Sequence, residues 1–215
     1  FLAKYDTSGA FVWANRIGGS GHDETYGVAV DEQDNIYVVG QMSAAVNFGT
    51  TEEPVVLAHE GGSWDAFCAS YGPDGELAWV RGIQGTGGQR ALSIAYQAGH
   101  VYAYGVCAGE THADNVATLS AGSNNQAFLC KLDTTGQVKW LLGHGGTGSE
   151  IGEAIRADAT HLYIMGSYTA LTDADPGPGV IELAPYGVGG NVYFAKLDTA
   201  GNAIWAHGLQ GNNHF

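Results

Sequence analysis

Leu132-Asp133-Thr134-Thr135-Gly136-Gln137-Val138-Lys139-Trp140 joins two apolar segments through a run of turn formers and reaches a tryptophan four residues after its glycine. Asp accepts hydrogen bonds from nearby backbone donors and Gly takes a positive φ, so the chain reverses here. The same pattern runs from Tyr5-Asp6-Thr7-Ser8-Gly9 to Trp13, from Tyr71-Gly72-Pro73-Asp74-Gly75 to Trp79, and from Leu197-Asp198-Thr199-Ala200-Gly201 to Trp205. The four glycines are separated by 66, 61 and 65 residues. A nearly fixed internal period of this size describes a row of similar structural units, and it outranks any single local motif.

The segment before the turn reads as a strand: Phe128-Leu129-Cys130-Lys131-Leu132, matched by Phe67-Cys68-Ala69-Ser70-Tyr71, Tyr193-Phe194-Ala195-Lys196-Leu197 and Phe1-Leu2-Ala3-Lys4-Tyr5. Its third residue is always small, which suits close packing of another sheet. The strand after the turn carries Trp13, Trp79, Trp140 or Trp205. A tryptophan repeated in register is most simply a core element between neighbouring sheets, with a sugar-stacking platform as the alternative. Earlier in each unit come an apolar segment such as Tyr26-Gly27-Val28-Ala29-Val30-Asp31, a polar turn, and a second strand such as Ile36-Tyr37-Val38-Val39-Gly40. Tyr37, Tyr102 and Tyr163 hold the second place of that strand and glycine the fifth. β-branched and aromatic enrichment bounded by turn formers marks these as strands. The tyrosines and tryptophans are therefore expected to form the repeated core. Stretches 41–65, 106–126 and 167–191 absorb most of the length variation.

Four short antiparallel strands per unit, with no helical periodicity, predict an all-β chain built as a β-propeller of four-stranded blades. A parallel β-helix needs shorter coils, and a string of sandwiches needs more residues per unit. The register predicts a half blade at 1–17, whole blades at about 26–82, 91–143 and 152–208, and the start of a further repeat at 209–215. Three and a half blades do not close a ring of four to eight. The expectation is a segment of a larger ring, or a ring closed by several copies of the chain. The chain opens on strand-like residues without a methionine or a leader pattern, which fits a piece of something longer.

Twenty-two acidic side chains against eight basic ones give a formal charge of −14. That charge opposes the counterion release that drives nucleic-acid binding, so nucleic acid and anionic membranes are poor partners; solubility is the plainer reading of the acidity. No apolar run approaches the ~20 residues that span a bilayer. Cys68, Cys107 and Cys130 form an odd set without CxxC spacing, so neither a zinc site nor a disulfide framework is indicated. Cys68 aligns with Leu2 and Leu129, and Cys130 with Ala3, Ala69 and Ala195, so they read as small buried hydrophobes.

Gly18-Gly19-Ser20-Gly21-His22-Asp23, the segments ending at Asp31 and Gly40, Asp173-Ala174-Asp175-Pro176-Gly177-Pro178-Gly179, and the run from Phe194 to Ala206 resemble the bacterial β-propeller repeat called SBBP. The resemblance covers essentially the whole chain and is specific for fold, with no activity attached. It implies large secreted or cell-surface proteins, many from Bacteroidetes-like bacteria and often exported through a C-terminal sorting signal, which this sequence does not contain. The middle unit departs from the pattern at Gly85-Thr86-Gly87-Gly88-Gln89-Arg90, which lacks the acid seen at Asp23 or Glu150. The Asp-x-x-Gly-x-x-x-Trp pattern also resembles the tryptophan-docking repeat of quinoprotein dehydrogenases and outer-membrane assembly propellers, without cofactor ligands to carry over.

Loops Gly19 to Glu24 and Gly146 to Glu150 are expected on one face, where propellers bind partners, which makes Asp23, Glu24 and Glu150 candidate binding residues. The plainer alternative is that the glycines make the turn and the acids are solvated. Asp173 and Asp175 stand two apart in a Gly/Pro-rich loop and could face one Ca²⁺, although the EF-hand spacing is absent and Asp-Pro-Gly is an ordinary turn. The eight histidines show no HxH or HExxH pair. No GxSxG elbow or phosphate-cradling loop occurs, and Glu52-Glu53 lies in a variable loop. The expected function is a non-catalytic extracellular binding or scaffold module of a bacterial surface or secreted protein, engaging protein or glycan partners through one face. Further blades of a parent chain or other copies are the expected structural partners. The alternative is the propeller part of a secreted carbohydrate-active or quinone-dependent enzyme whose site needs other blades.

Overall fold

A computed structural model describes residues 1–122, 124–187 and 189–209, and within them every regular element is a strand. The expected repeat start at 209–215 lies, apart from Leu209, outside the described residues. Leu2–Tyr5 pairs antiparallel with Phe11–Asn15 as a two-stranded unit. Three four-stranded antiparallel blades follow in chain order. The first is Asp23–Val30, Ile36–Met42, Asp65–Tyr71 and Leu77–Gly85. The second is Gln89–Gln97, His100–Cys107, Gln126–Asp133 and Val138–His144. The third is Glu150–Ala157, Leu162–Tyr168, Asn191–Leu197 and Ala203–Leu209. The first strand of the second blade packs against the first strands of both neighbours, so first strands lie innermost and fourth strands outermost. This is β-propeller architecture.

The core is divided among the seams between sheets. Met42, Phe48, Phe67 and Tyr71 fill the seam between the half blade and the first blade. Tyr37, Cys68, Trp79, Ile94, Phe128 and Cys130 fill the next, and Tyr102, Leu129, Ile155, Ile164 and Tyr193 the third. Alternation along each strand sends one set of side chains to each seam, which is why these strands are buried on both faces. All three cysteines are free and buried, and burial pushes the Cys107 thiol up to about 11. Tyr37, Tyr102 and Trp79 are core, whereas Trp13, Trp140, Tyr163 and Trp205 keep partial exposure. Tyr163 and Trp205 face away from the second blade, on the outer side of the last described sheet.

The repeated glycine and tryptophan do not meet within their own unit. Trp13 and Trp79 lie on the turn glycine of the following blade: a Cβ added to Gly75 would come within 2.9 Å of Trp13, and one on Gly136 within 2.6 Å of Trp79, while Gly201 meets Leu142 first and Trp140 at 3.5 Å. Trp13 Nε1 donates to Pro73 O at 3.0 Å and Trp79 Nε1 to Thr134 O at 2.9 Å. The turns of the second and third blades are preformed by their own aspartates: Asp133 Oδ1 accepts from the backbone N–H of Thr135 and Gln137, as Asp198 Oδ1 does from Ala200 and Asn202, whereas the Gly72-to-Gly75 turn of the first blade is closed by backbone bonds. Against the opposing effect of burial, hydrogen bonds hold both carboxyls below the usual range, foremost those from Lys139 Nζ to Asp133 and from Asn202 Nδ2 to Asp198, with the backbone bonds adding to them.

The variable stretches also have a regular job. Glu110–Ala113 and Ala117–Ser120 form a hairpin in the second blade that pairs with Ile83, Gln84 and Gly85 at the end of the previous blade's outer strand. Val46–Asn47 and Val56–Leu57 pair likewise with Gly18–Gly19, and Thr172 bridges Gly146. Each blade thus adds strands to its predecessor. The crossing is tight enough that a Cβ on Gly85 would fall 1.8 Å from Glu110 O, so only glycine fits.

Candidate functional site

Strand direction puts the inter-blade loops and the long second-to-third connections at one end of the sheets. The short Asp-containing turns lie at the other. Everything variable in length therefore shares one face, the usual place for recognition on a rigid scaffold. On this face His22, Glu24, Tyr26, Gln41 and Trp64 converge. Glu24 Oε2 accepts from Gln41 Nε2 at 2.7 Å and from the Tyr26 hydroxyl, while Glu24 Oε1 lies 3.2 Å from His22 Nε2. Burial, with the Glu24 hydrogen bond added, pushes the Tyr26 phenol up to about 12. The His22 ring meets Trp64 edge-on at 5.4 Å between centroids. Trp64 is held from behind, since its carbonyl accepts from Gln89 N at 2.8 Å in the next blade. Its ring is half-buried and the His22 side chain is 61% exposed, so the patch is fixed yet reachable.

The expected acidic loop residues divide between two roles. Asp23, Glu24 and Glu150 begin the first strands rather than standing free in the loops. Asp23 Oδ2 accepts from Gly19 N at 2.8 Å and Glu150 Oε2 from Gly146 N at 3.0 Å, so both carboxylates cap the loop behind them. Glu150 is fully buried, two blades away from Asp23 and Glu24, and burial raises its carboxyl pKa. Of the three, Glu24 alone joins the exposed cluster. The middle unit fills the same place with Gln89, whose amide donates to Ala108 O and to Thr111 Oγ1, both at 3.0 Å. Thr172 is the counterpart of Thr111. Glu150→Gln is accordingly expected to hold stability or raise it by up to about 1 kcal/mol, read as an unchanged or higher urea midpoint at pH 7.

Asp173 and Asp175 direct one oxygen each to the backbone of their own blade. Asp173 Oδ1 accepts from Asp175 N and Ile181 N, and Asp175 Oδ1 from Gly177 N and Ala203 N. Asn47 does the same for Gly49 N and Val55 N at the equivalent place in the first blade, so a neutral amide suffices there. No group of three or more His, Cys, Asp or Glu poised for a metal occurs among the described residues. Asp173→Asn is expected to change stability by less than about 0.5 kcal/mol, with one melting temperature in calcium and in chelator.

Trp64 escaped the repeat pattern because it is the one tryptophan of five not preceded by a glycine at the fourth place. That departure was the available signal: a tryptophan outside the docking register is free for another role.

Two comparisons with known proteins agree with this geometry. Residues 12–41, from the outer strand of the half blade to the second strand of the first blade, match the SBBP beta-propeller repeat model. In type, the repeat is similar to SBBP. An uncharacterized WD repeat-containing protein, L264, of Acanthamoeba polyphaga mimivirus is 26% identical over 168 residues, which cover 71% of this chain. The matched part spans only 12% of that relative's length. With the SBBP-type match and the radial sheets together, the chain is a β-propeller module.

Proposed function

We propose that this module is a non-catalytic binding element that takes a protein or glycan partner on its long-loop face, at Trp64, His22, Glu24 and Gln41. The observation that carries the reading is the half-open Trp64 ring met edge-on by the exposed His22, whose Nε2 lies 3.2 Å from the Glu24 carboxylate that also holds the Gln41 amide. An aromatic face receives apolar patches, including the C–H face of a sugar, while adjacent carboxylate and amide groups pair with hydroxyl or amine donors. The remaining carboxylates of this face that repeat between blades are occupied as loop caps, which favours recognition over acid–base chemistry. The repeat resemblance supports placing the module outside a bacterial cell, on its surface or in its secretions. Protease treatment of intact source cells tests that placement. Binding is tested by probing a glycan array and a panel of surface-protein fragments with the wild-type chain and Trp64→Ala. At least a tenfold loss is expected on Trp64→Ala at an unchanged melting temperature. Binding indifferent to Trp64, or turnover of a polysaccharide or quinone-dependent dye, overturns the reading.

A further inference from the structure

Charge is divided unevenly between the two ends of the blades. Stretches 41–65, 106–126 and 167–191, which form the long-loop face, hold nine carboxylates and neither lysine nor arginine. All four lysines lie beside the short turns at the opposite end. The three acidic stretches belong to three successive blades, and each is anchored at both ends in a described strand. Diffuse acidity attracts any cation. A site needs, in addition, an acceptor that selects one.

Gln41 is such an acceptor. It is 4% exposed, its Nε2 donates to Glu24 Oε2 at 2.7 Å, and its Oε1 is buried with no donor among the described residues. A buried acceptor without a donor costs free energy that a ligand's donor recovers. Beside it, Glu24 Oε1 meets only the exposed His22, at 3.2 Å, and no lysine or arginine pairs with Glu24 among the described residues. The pair is peculiar to the first blade. The cross-strand places of Glu24 and Gln41 are held by Arg90 and Val106 in the second blade and by Ile151 and Ser167 in the third. The segment that carries Trp64 is pinned next to this pair from within the seam, since Asp65 Oδ2 accepts from Glu60 N at 2.7 Å and from Gln84 Nε2 at 3.0 Å.

We propose that the partner of this face is a basic protein segment that inserts a lysine, its aliphatic stem along the Trp64 ring and its ammonium donating to Glu24 Oε1 and Gln41 Oε1. The proposal rests on the loop-face function and narrows it to one chemistry. An ammonium brings three donors on an unbranched stem to an acceptor that lies below the surface, and an aromatic face attracts it as a carboxylate does. A guanidinium is a planar fork and a sugar ring is broader still, so both fit a nearly buried amide less well. The carboxylates of the surrounding loops steer the remaining cations of a basic segment, an attraction spread over three blades that a single amino sugar does not use. Binding therefore weakens as salt screens it.

Fluorescence anisotropy of a labelled peptide of alternating glycine and lysine, titrated with the 215-residue chain, is the test. The wild type is expected to bind it, at least tenfold more weakly in ~0.5 M than in ~0.05 M salt, and to lose it when the peptide's lysines are acetylated. Glu24→Gln and Trp64→Ala are each expected to weaken binding at least tenfold. Glu52→Gln removes the same charge from an exposed loop and is expected to weaken it less than about twofold. Acetylation leaves the protein untouched, so the result stands even where a variant misfolds. A wild type that ignores the lysine peptide, binding indifferent to acetylation, or equal losses in Glu24→Gln and Glu52→Gln overturns the proposal. A chitosan oligosaccharide that binds through Trp64 where the peptide does not assigns the ammonium to an amino sugar and overturns the protein partner. A neutral partner that needs Trp64, with the peptide unbound, overturns this proposal and leaves the loop-face function standing. Lysine-dependent binding indifferent to Trp64 overturns both.

Discussion

Trp79→Ala is expected to cost about 3–5 kcal/mol, a large fraction of the stability of a domain this size. Trp79 is the most buried of the repeated tryptophans, 8% exposed, and stands in the seam between the first and second blades among Tyr37, Ile94 and Cys130. Its loss leaves a cavity between two sheets that cannot collapse without shifting the Thr134-to-Gly136 turn, and it strips Thr134 O of its donor. Trp205→Ala is expected to cost this 215-residue chain less than about 1 kcal/mol, because its ring packs on no turn glycine among the described residues. Urea denaturation of both variants at low protein concentration checks the contrast. Equal losses would show that the strand itself, and not the seam, uses the tryptophan. Because blades are stabilised largely by nearest neighbours, the Trp79 variant should also separate the half blade and first blade from the rest as an earlier transition.

Acid is expected to weaken the chain through His144, by roughly 3 kcal/mol between pH 6.5 and pH 4. His144 is buried, with its Nε2 2.9 Å from the Tyr104 hydroxyl, and that hydroxyl lies 2.5 Å from the hydroxyl of Tyr193. Burial lowers the imidazole pKa to about 4, against the opposing pull of Asp173 and Asp175. A base whose folded pKa lies below its unfolded value folds best when neutral. Its contribution is therefore complete above about pH 6.5 and is lost as pH falls towards 4. Glu150, with its raised pKa, works in the opposite sense and returns part of the loss as it protonates. The turn aspartates, whose pKa values are depressed, lose their contribution only at still lower pH. Urea midpoints at pH 7 and pH 4.5 for wild type and His144→Gln test this. The variant keeps a side chain able to pair with the Tyr104 hydroxyl and should lose most of the difference; an unchanged difference would place the acid sensitivity elsewhere.

The strands and the reversals were legible because their causes are local. Asp133 and Gly136 make a turn in any context that lets the chain reverse, and five residues rich in Tyr, Val and Ile extend on either side. The small third residue of the strand before the turn correctly announced a close sheet, since Ala69, Cys130 and Ala195 are buried in the seams. The long stretches were not legible as hairpins. Glu110–Ala113 is shaped by an edge that another blade presents, and nothing in its own residues names that edge. The acids show the same limit: Asp23, Glu24 and Glu150 look alike in sequence, yet two are turned back to cap a backbone N–H and one faces outward.

The sequence by itself determined the unit: four strands, an aspartate-capped turn, and a glycine and tryptophan four residues apart, all consequences of short-range backbone chemistry. Only the tertiary structure decided what the tryptophan touches. Its glycine partner is not the one four residues before it but the one in the next blade, because alternation along a strand aims the ring across the seam. That same displacement by one blade leaves Gly9 uncovered and Trp205 without a glycine among the described residues.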